Sequence, residues 1–125
     1  MGLGCIMNVI RDEEIKKIPF KSADLLKLVE DTLKMKKNSI LPPKISLHFE
    51  HGKFYNTMPC IIPELHIAGV KEVNRYPENS PSLNAHLLLY DLDNGSLKAV
   101  MDASYITSLR TAAVAVHSIH LFART

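Results

Sequence analysis

The sequence has no tryptophan and only two cysteines, Cys5 and Cys60, which stand in neither a Cys-x-x-Cys nor a metal-ligand spacing. A disulfide framework and a cysteine-bound zinc are thereby excluded. No apolar run approaches the eighteen or so residues of a transmembrane helix. The first seven residues also lack the basic start and long apolar stretch of a signal peptide. A cytoplasmic location without a membrane partner is expected. Charge of one sign is lacking too: 15 Lys and Arg face 13 Asp and Glu, a net +2. That is no electrostatic footprint for nucleic acid. The one tight basic group, Lys34, Lys36 and Lys37, reads as a solvated helix end. Six histidines occur without an HExxH pattern, and His117 and His120 lie one helical turn apart with no third ligand, so no metal site is expected. Neither Gly-x-Gly-x-x-Gly nor Gly-x-x-x-x-Gly-Lys-Ser/Thr occurs, so a phosphate-cradling glycine loop is absent.

What is present is an ordinary globular composition, 46% hydrophobic and 22% charged in 125 residues, enough for one domain over residues 1–125. Residues 5–10 read as a short strand, and 12–17 as a helical turn ended by Pro19. Ser22 is an N-cap candidate. Leu25, Leu28, Val29 and Leu33 then recur at helical spacing, predicting an amphipathic helix to about Lys37. Beyond Pro42 and Pro43 the period becomes two. Ile45, Leu47 and Phe49 alternate with polar residues, and His51-Gly52 turns the chain into a strand over 53–58 that Pro59 should stop. Strands are predicted over 65–74, 84–90 and 97–101, with a loop over 76–82. Asp93-Asn94-Gly95 reads as a type I′ hairpin turn. The run Leu87-Leu88-Leu89 calls for cover on both sheet faces. Residues 104–124 form a helix apolar nearly all round. The expected fold is α+β, a mostly antiparallel sheet with one amphipathic helix and a C-terminal helix.

Two segments suit chemistry. Lys71 sits in a run that otherwise reads as sheet, on the same face as Gly69 and Val73. It is either an edge-strand lysine that deters aggregation or a cation facing a cleft, where it could meet a carboxylate or titrate. Residues 102–113 pass from strand into helix. Arg110 and Thr111 near a helix N-terminus could hold an anion, or the helix could be capped and its arginine solvated. Spacing alone leaves both pairs of alternatives open.

Three motifs in order carry a resemblance. The segment LPPKISLHFEHGKFYNTMP resembles the Pro-Pro-Lys/Arg strand and Met-Pro pair of the ornithine cyclodeaminase/mu-crystallin family, which includes archaeal-type alanine dehydrogenases. AGVKEVNRYPEN resembles its Gly-x-Lys strand and His/Tyr-Pro-x-Asn loop. DNGSLKAVMDASYITSLRTAAVAVHSIHLFART resembles its hairpin, strand and Thr-x-x-Arg-Thr-Ala-Ala helix. The resemblance implies that Lys44 and Lys71 contact substrate, with Lys71 on its carboxylate and aiding proton transfer. It implies that Arg110 meets both substrate and cofactor phosphates, and that Ser82 and Thr111 lie near the cofactor. The loop around Asn79-Ser80-Pro81-Ser82 is shorter than the family's. Asn56 stands where alanine-dehydrogenase-like members often carry arginine, which disfavours alanine as substrate.

The resemblance further implies the amino-terminal substrate-binding and dimerisation domain of an enzyme acting on an amino-acid or ketimine carboxylate. A Rossmann domain for NAD(H) or NADP(H) would follow Thr125 or lie on a separate chain. Residues 1–125 alone are expected to be an inactive homodimer without useful affinity for the nucleotide. The rival reading is a non-enzymatic binding or interaction protein that keeps the dimer surface and an anion pocket.

Overall fold

The computed structural model describes residues 8–123. Six strands, β1 Asn8–Ile10, β2 Ile45–Phe49, β3 Lys53–Ile62, β4 Ile67–Arg75, β5 Leu83–Asp91 and β6 Leu97–Asp102, form one sheet in the order β1-β6-β5-β4-β3-β2. All neighbours run antiparallel except β1 and β6. Three helices, α1 Asp12–Lys16, α2 Ser22–Met35 and α3 Ser104–Ala123, complete the α+β layout expected from the sequence. The strand expected over 5–10 is seen as Asn8–Ile10, its first residues lying outside the described ones. Ser22 opens α2 as its first helical residue rather than capping it; Lys21 holds the cap position, without a side-chain bond.

The strand expected to stop at Met58 instead runs through Pro59 to Ile62. The ladder explains this. Ile61 donates its N–H to the Ile40 carbonyl at 3.0 Å, on the side of β3 that carries β2. Backbone N–H groups alternate sides along a strand, so the nitrogen of Pro59 faces that same side. There it meets the gap between the Ile40 bridge and the start of β2 pairing at Ile45, where no ladder bond is lost.

Two turns refine expectation. His51 and Gly52 both take positive φ, 58° and 74°, as a tight hairpin turn requires. The Asp93-Asn94-Gly95 turn is not type I′, because only Gly95 has positive φ. Asp91 closes a longer loop instead. Its carbonyl accepts the Gly95 N–H at 2.9 Å, and its carboxylate accepts the N–H groups of Asp93 and Asn94.

The helices cover one face of the sheet at its β1-β6-β5 side. The buried residues there are mostly small: Ala85, Ala99, Ala103 and Ala113, with Ile15. Alanines on β5, β6 and α3 let the helix approach the strands closely. Two aspartates tie the helices down reciprocally. The Asp102 carboxylate accepts the Asp12 N–H at the start of α1 at 3.2 Å, and the Asp12 carboxylate accepts the Tyr105 N–H at the start of α3 at 3.4 Å. The opposite face carries Pro59, Val70, Leu88 and Val100, extended by the exposed Ile45, Leu47 and Phe49 of β2, and none of these is buried.

Candidate functional site

Where the helical cover ends, the sheet face continues bare over β3, β4 and β5. The register sets two rows across these strands: Met58-Lys71-Leu87, and Cys60-Gly69-Leu89. With Ile62 and Ile67 they line an open hollow of about 230 Å³ whose one charged group is Lys71. Lys71 lies in an interior strand, so the edge-strand reading does not apply. It is half-buried. Burial, and then the positive charge of Arg110, hold its ammonium below the ordinary lysine range. The structure thus brings together two cations that lie far apart in sequence. Their mutual repulsion in a partly desolvated place is relieved by an anion between them.

Arg110 extends from the second turn of α3, exposed, and also borders a larger apolar hollow of about 420 Å³ between α1, α2, α3 and the β1-β6 edge. Lys44 is exposed just before β2. Extending the β2–β3 ladder by one residue sets it level with Met58, and so on the row of Lys71. Ser82 stands at the β4–β5 loop, where its carbonyl accepts the Tyr76 N–H at 2.8 Å. Five residues separate it from Leu87, the partner of Lys71, which is on the order of 16 Å along an extended strand. Thr111 donates its hydroxyl to the Thr107 carbonyl one turn back at 2.8 Å. Of the predicted cations only Lys71 lines the hollow; Arg110 acts on it through its charge, Lys44 is level with its row at the sheet edge, and Ser82 lies away from it. The start of α3, considered for an anion, is occupied by the Asp12 carboxylate.

Sequence reasoning passed over two contributors. Cys60, set aside as a lone cysteine, lines the hollow, and burial pushes its thiol up. Met58 was seen only as part of a Met-Pro pair. Alternation back from Lys71 flagged Gly69, but the cross-strand register that adds Cys60 and Met58 is a tertiary fact. The Lys53 side chain, at the start of β3 beside the hairpin turn, is only 24% exposed. It pairs with Glu78 at 3.0 Å and lies over the Tyr76 ring, whose hydroxyl hydrogen-bonds that of Tyr55. Among the described residues no three His, Cys, Asp or Glu side chains group as metal ligands.

These features define a helix-backed, mostly antiparallel α+β domain with a lysine set in an apolar hollow of its sheet. The chain belongs to the ornithine cyclodeaminase/mu-crystallin family, whose model matches residues 7–125. It is 38% identical over 109 residues to nodulation efficiency protein NfeD of Rhizobium meliloti, an alignment covering 82% of this chain and 33% of that protein. Among solved structures it resembles an archaeal alanine dehydrogenase dimer with bound NAD (TM-score 0.77, 31% identity, 86% of this chain and 34% of that one). It also resembles Thermococcus litoralis Δ1-pyrroline-2-carboxylate reductase in complex with NADH and L-proline (TM-score 0.79, 27% identity, 87% and 36%). The chain spans about a third of the length of these relatives.

Proposed function

We propose that this domain binds the carboxylate of an amino acid or cyclic imine for an NAD(P)-dependent dehydrogenase, reductase or cyclodeaminase, with Lys71 and Arg110 as the anion clamp and Lys44 at its rim. The observation that carries this is the half-buried Lys71 beside Arg110 at the mouth of an otherwise apolar hollow. A carboxylate there gains charge-assisted hydrogen bonds in a place of low dielectric. A lysine whose pKa is lowered toward the working pH is also a better proton donor and acceptor than a free one, which suits Lys71 to proton transfer at the reacting carbon.

NAD, when bound, supplies hydride acceptance or donation in such enzymes. The described residues do not fit the dinucleotide: no glycine-rich turn is present, and the start of α3 already holds a carboxylate. In this reading Arg110 and Thr111, exposed on α3, meet a cofactor carried by a Rossmann domain in the same polypeptide or another. Ser82, away from the clamp, is the weakest of the cofactor assignments. The apolar sheet face opposite Lys71, with Ile45, Leu47 and Phe49 exposed, supports a homodimer packed through it, because leaving such surface in water forgoes roughly 25 cal/mol per Å².

Titrating the 125-residue chain with pyruvate, followed by amide shifts, tests the clamp. Binding is expected to weaken about tenfold in Lys71→Ala and in Arg110→Ala, as loss of one charged hydrogen bond implies. It should be unchanged in Lys98→Ala, whose ammonium instead lies 3.8 Å from Asp91. Equal losses in all three would reduce the site to diffuse charge.

A further inference from the structure

Gly69 has no positive φ, so its backbone conformation is one that any residue adopts. What glycine supplies at this position is space. A Cβ there would stand 3.3 Å from the Leu88 carbonyl oxygen and 4.0 Å from the Leu87 side chain, in the middle of the hollow. The hollow therefore runs along the strands as a trough. Lys71 stands at one end, the bare backbone of Gly69 forms the floor between Cys60 and Leu89, and Ile62 and Ile67 close the far end. Successive rows are about 7 Å apart. That is also on the order of the reach from a carboxylate to the end of a three-carbon side chain.

No carboxylate lines the trough. The acid level with Ile67 is Asp91, and its oxygens are engaged by the N–H groups of Asp93 and Asn94 and lie near Lys98. A cationic tail laid over Gly69 would lose water and find no partner among the lining side chains, whereas an aliphatic tail would meet apolar side chains and the Cys60 thiol.

We propose that the Gly69 trough is the side-chain subsite of this domain, and that it selects carboxylates with an uncharged aliphatic tail of about three carbons, or a ring of that size, over shorter ones and over diamino acids. This rests on the carboxylate clamp at Lys71 and Arg110. Cys60 and Gly69 are specificity-determining residues in this assignment, and neither takes part in proton or hydride transfer.

The test compares L-alanine, L-norvaline and L-ornithine binding to the 125-residue chain by amide-shift titration. Norvaline adds two methylenes to alanine, and ornithine then adds one terminal ammonium. Norvaline is expected to bind about tenfold tighter than alanine, the gain from burying two methylenes, and ornithine no tighter than alanine. Gly69→Ala should abolish the norvaline advantage while leaving alanine binding within twofold. Should the added Cβ disturb the strand, Cys60→Phe fills the same trough from β3 and should do likewise. Equal affinity for all three amino acids, with binding still lost in Lys71→Ala, would overturn the trough and leave the clamp standing. An ornithine preference would overturn it too. Binding indifferent to both Lys71→Ala and Arg110→Ala would remove the clamp and the trough together.

Discussion

The sheet and its helical cover are held by different means. Strands β3, β4 and β5 are joined by unbroken nine-residue ladders, Phe54 to Ile62 against Ile67 to Arg75, and Ile67 to Arg75 against Leu83 to Asp91. Helix α2 has no buried residue: Leu28 on its apolar stripe is 58% exposed, and although α2 packs on α3, a hollow of about 420 Å³ remains between it, α3 and the sheet. The sheet is specified within itself, while α2 is an amphipathic element whose apolar side is only half used. Lys71 and its trough stand on the first kind of structure, whereas Arg110, on α3, borders the hollow that α2 only half fills.

Substitutions can break or sharpen this contrast. The largest effect is expected for Val70→Pro, in the middle of β4, which removes a ladder donor between Pro59 and Leu88. A loss of about 3 kcal/mol or more in urea denaturation follows. Asp12→Ala, which frees the first turn of α3, should cost about 1 kcal/mol. Leu28→Ala should cost well under the roughly 2–5 kcal/mol of a buried leucine. Hydrogen exchange should show β4 amides opening only with the whole domain and α2 amides opening far more easily. Comparable protection of the two would end the distinction.

The smallest effect concerns Lys71. Its pKa is lower in the folded chain than in the unfolded one, so between the two values the unfolded state binds more protons and stability rises with pH. The folded domain carries the full burden of the buried ammonium at neutral pH and sheds it as pH climbs toward the ordinary lysine value. Lys71→Met should therefore be more stable than the native chain at pH 7, with the difference narrowing toward pH 10. A constant difference across that range would place the effect in packing rather than charge.

The α+β class was legible because period-two and helical patterns change sharply at the prolines, as at Pro42-Pro43 before the alternating Ile45, Leu47 and Phe49. Pro59 misled because local pattern does not say which way a strand's nitrogen faces; only the absent partner across from it does. The pairing of Lys53 is equally absent from local pattern, since its partner Glu78 lies on another loop. Lys71 was visible as a misplaced charge. Its meeting with Arg110 came from the resemblance, because no spacing rule links β4 to α3. Cys60 and Met58 became site residues only when the register set them beside Gly69 and Lys71.

The reciprocal aspartate caps also bear on the order in which the chain can assemble as it leaves the ribosome. Segment β1 and helix α1 precede strands β2 to β5, yet β1 pairs with β6 and α1 receives its cap from Asp102, 90 residues after Asp12. Strands β2 to β5 form a meander whose pairings are all with the next strand and can close as each arrives. β1 and α1 thus stay without these partners until β6 has been made, and their docking is a long-range closure, the kind of contact that slows folding.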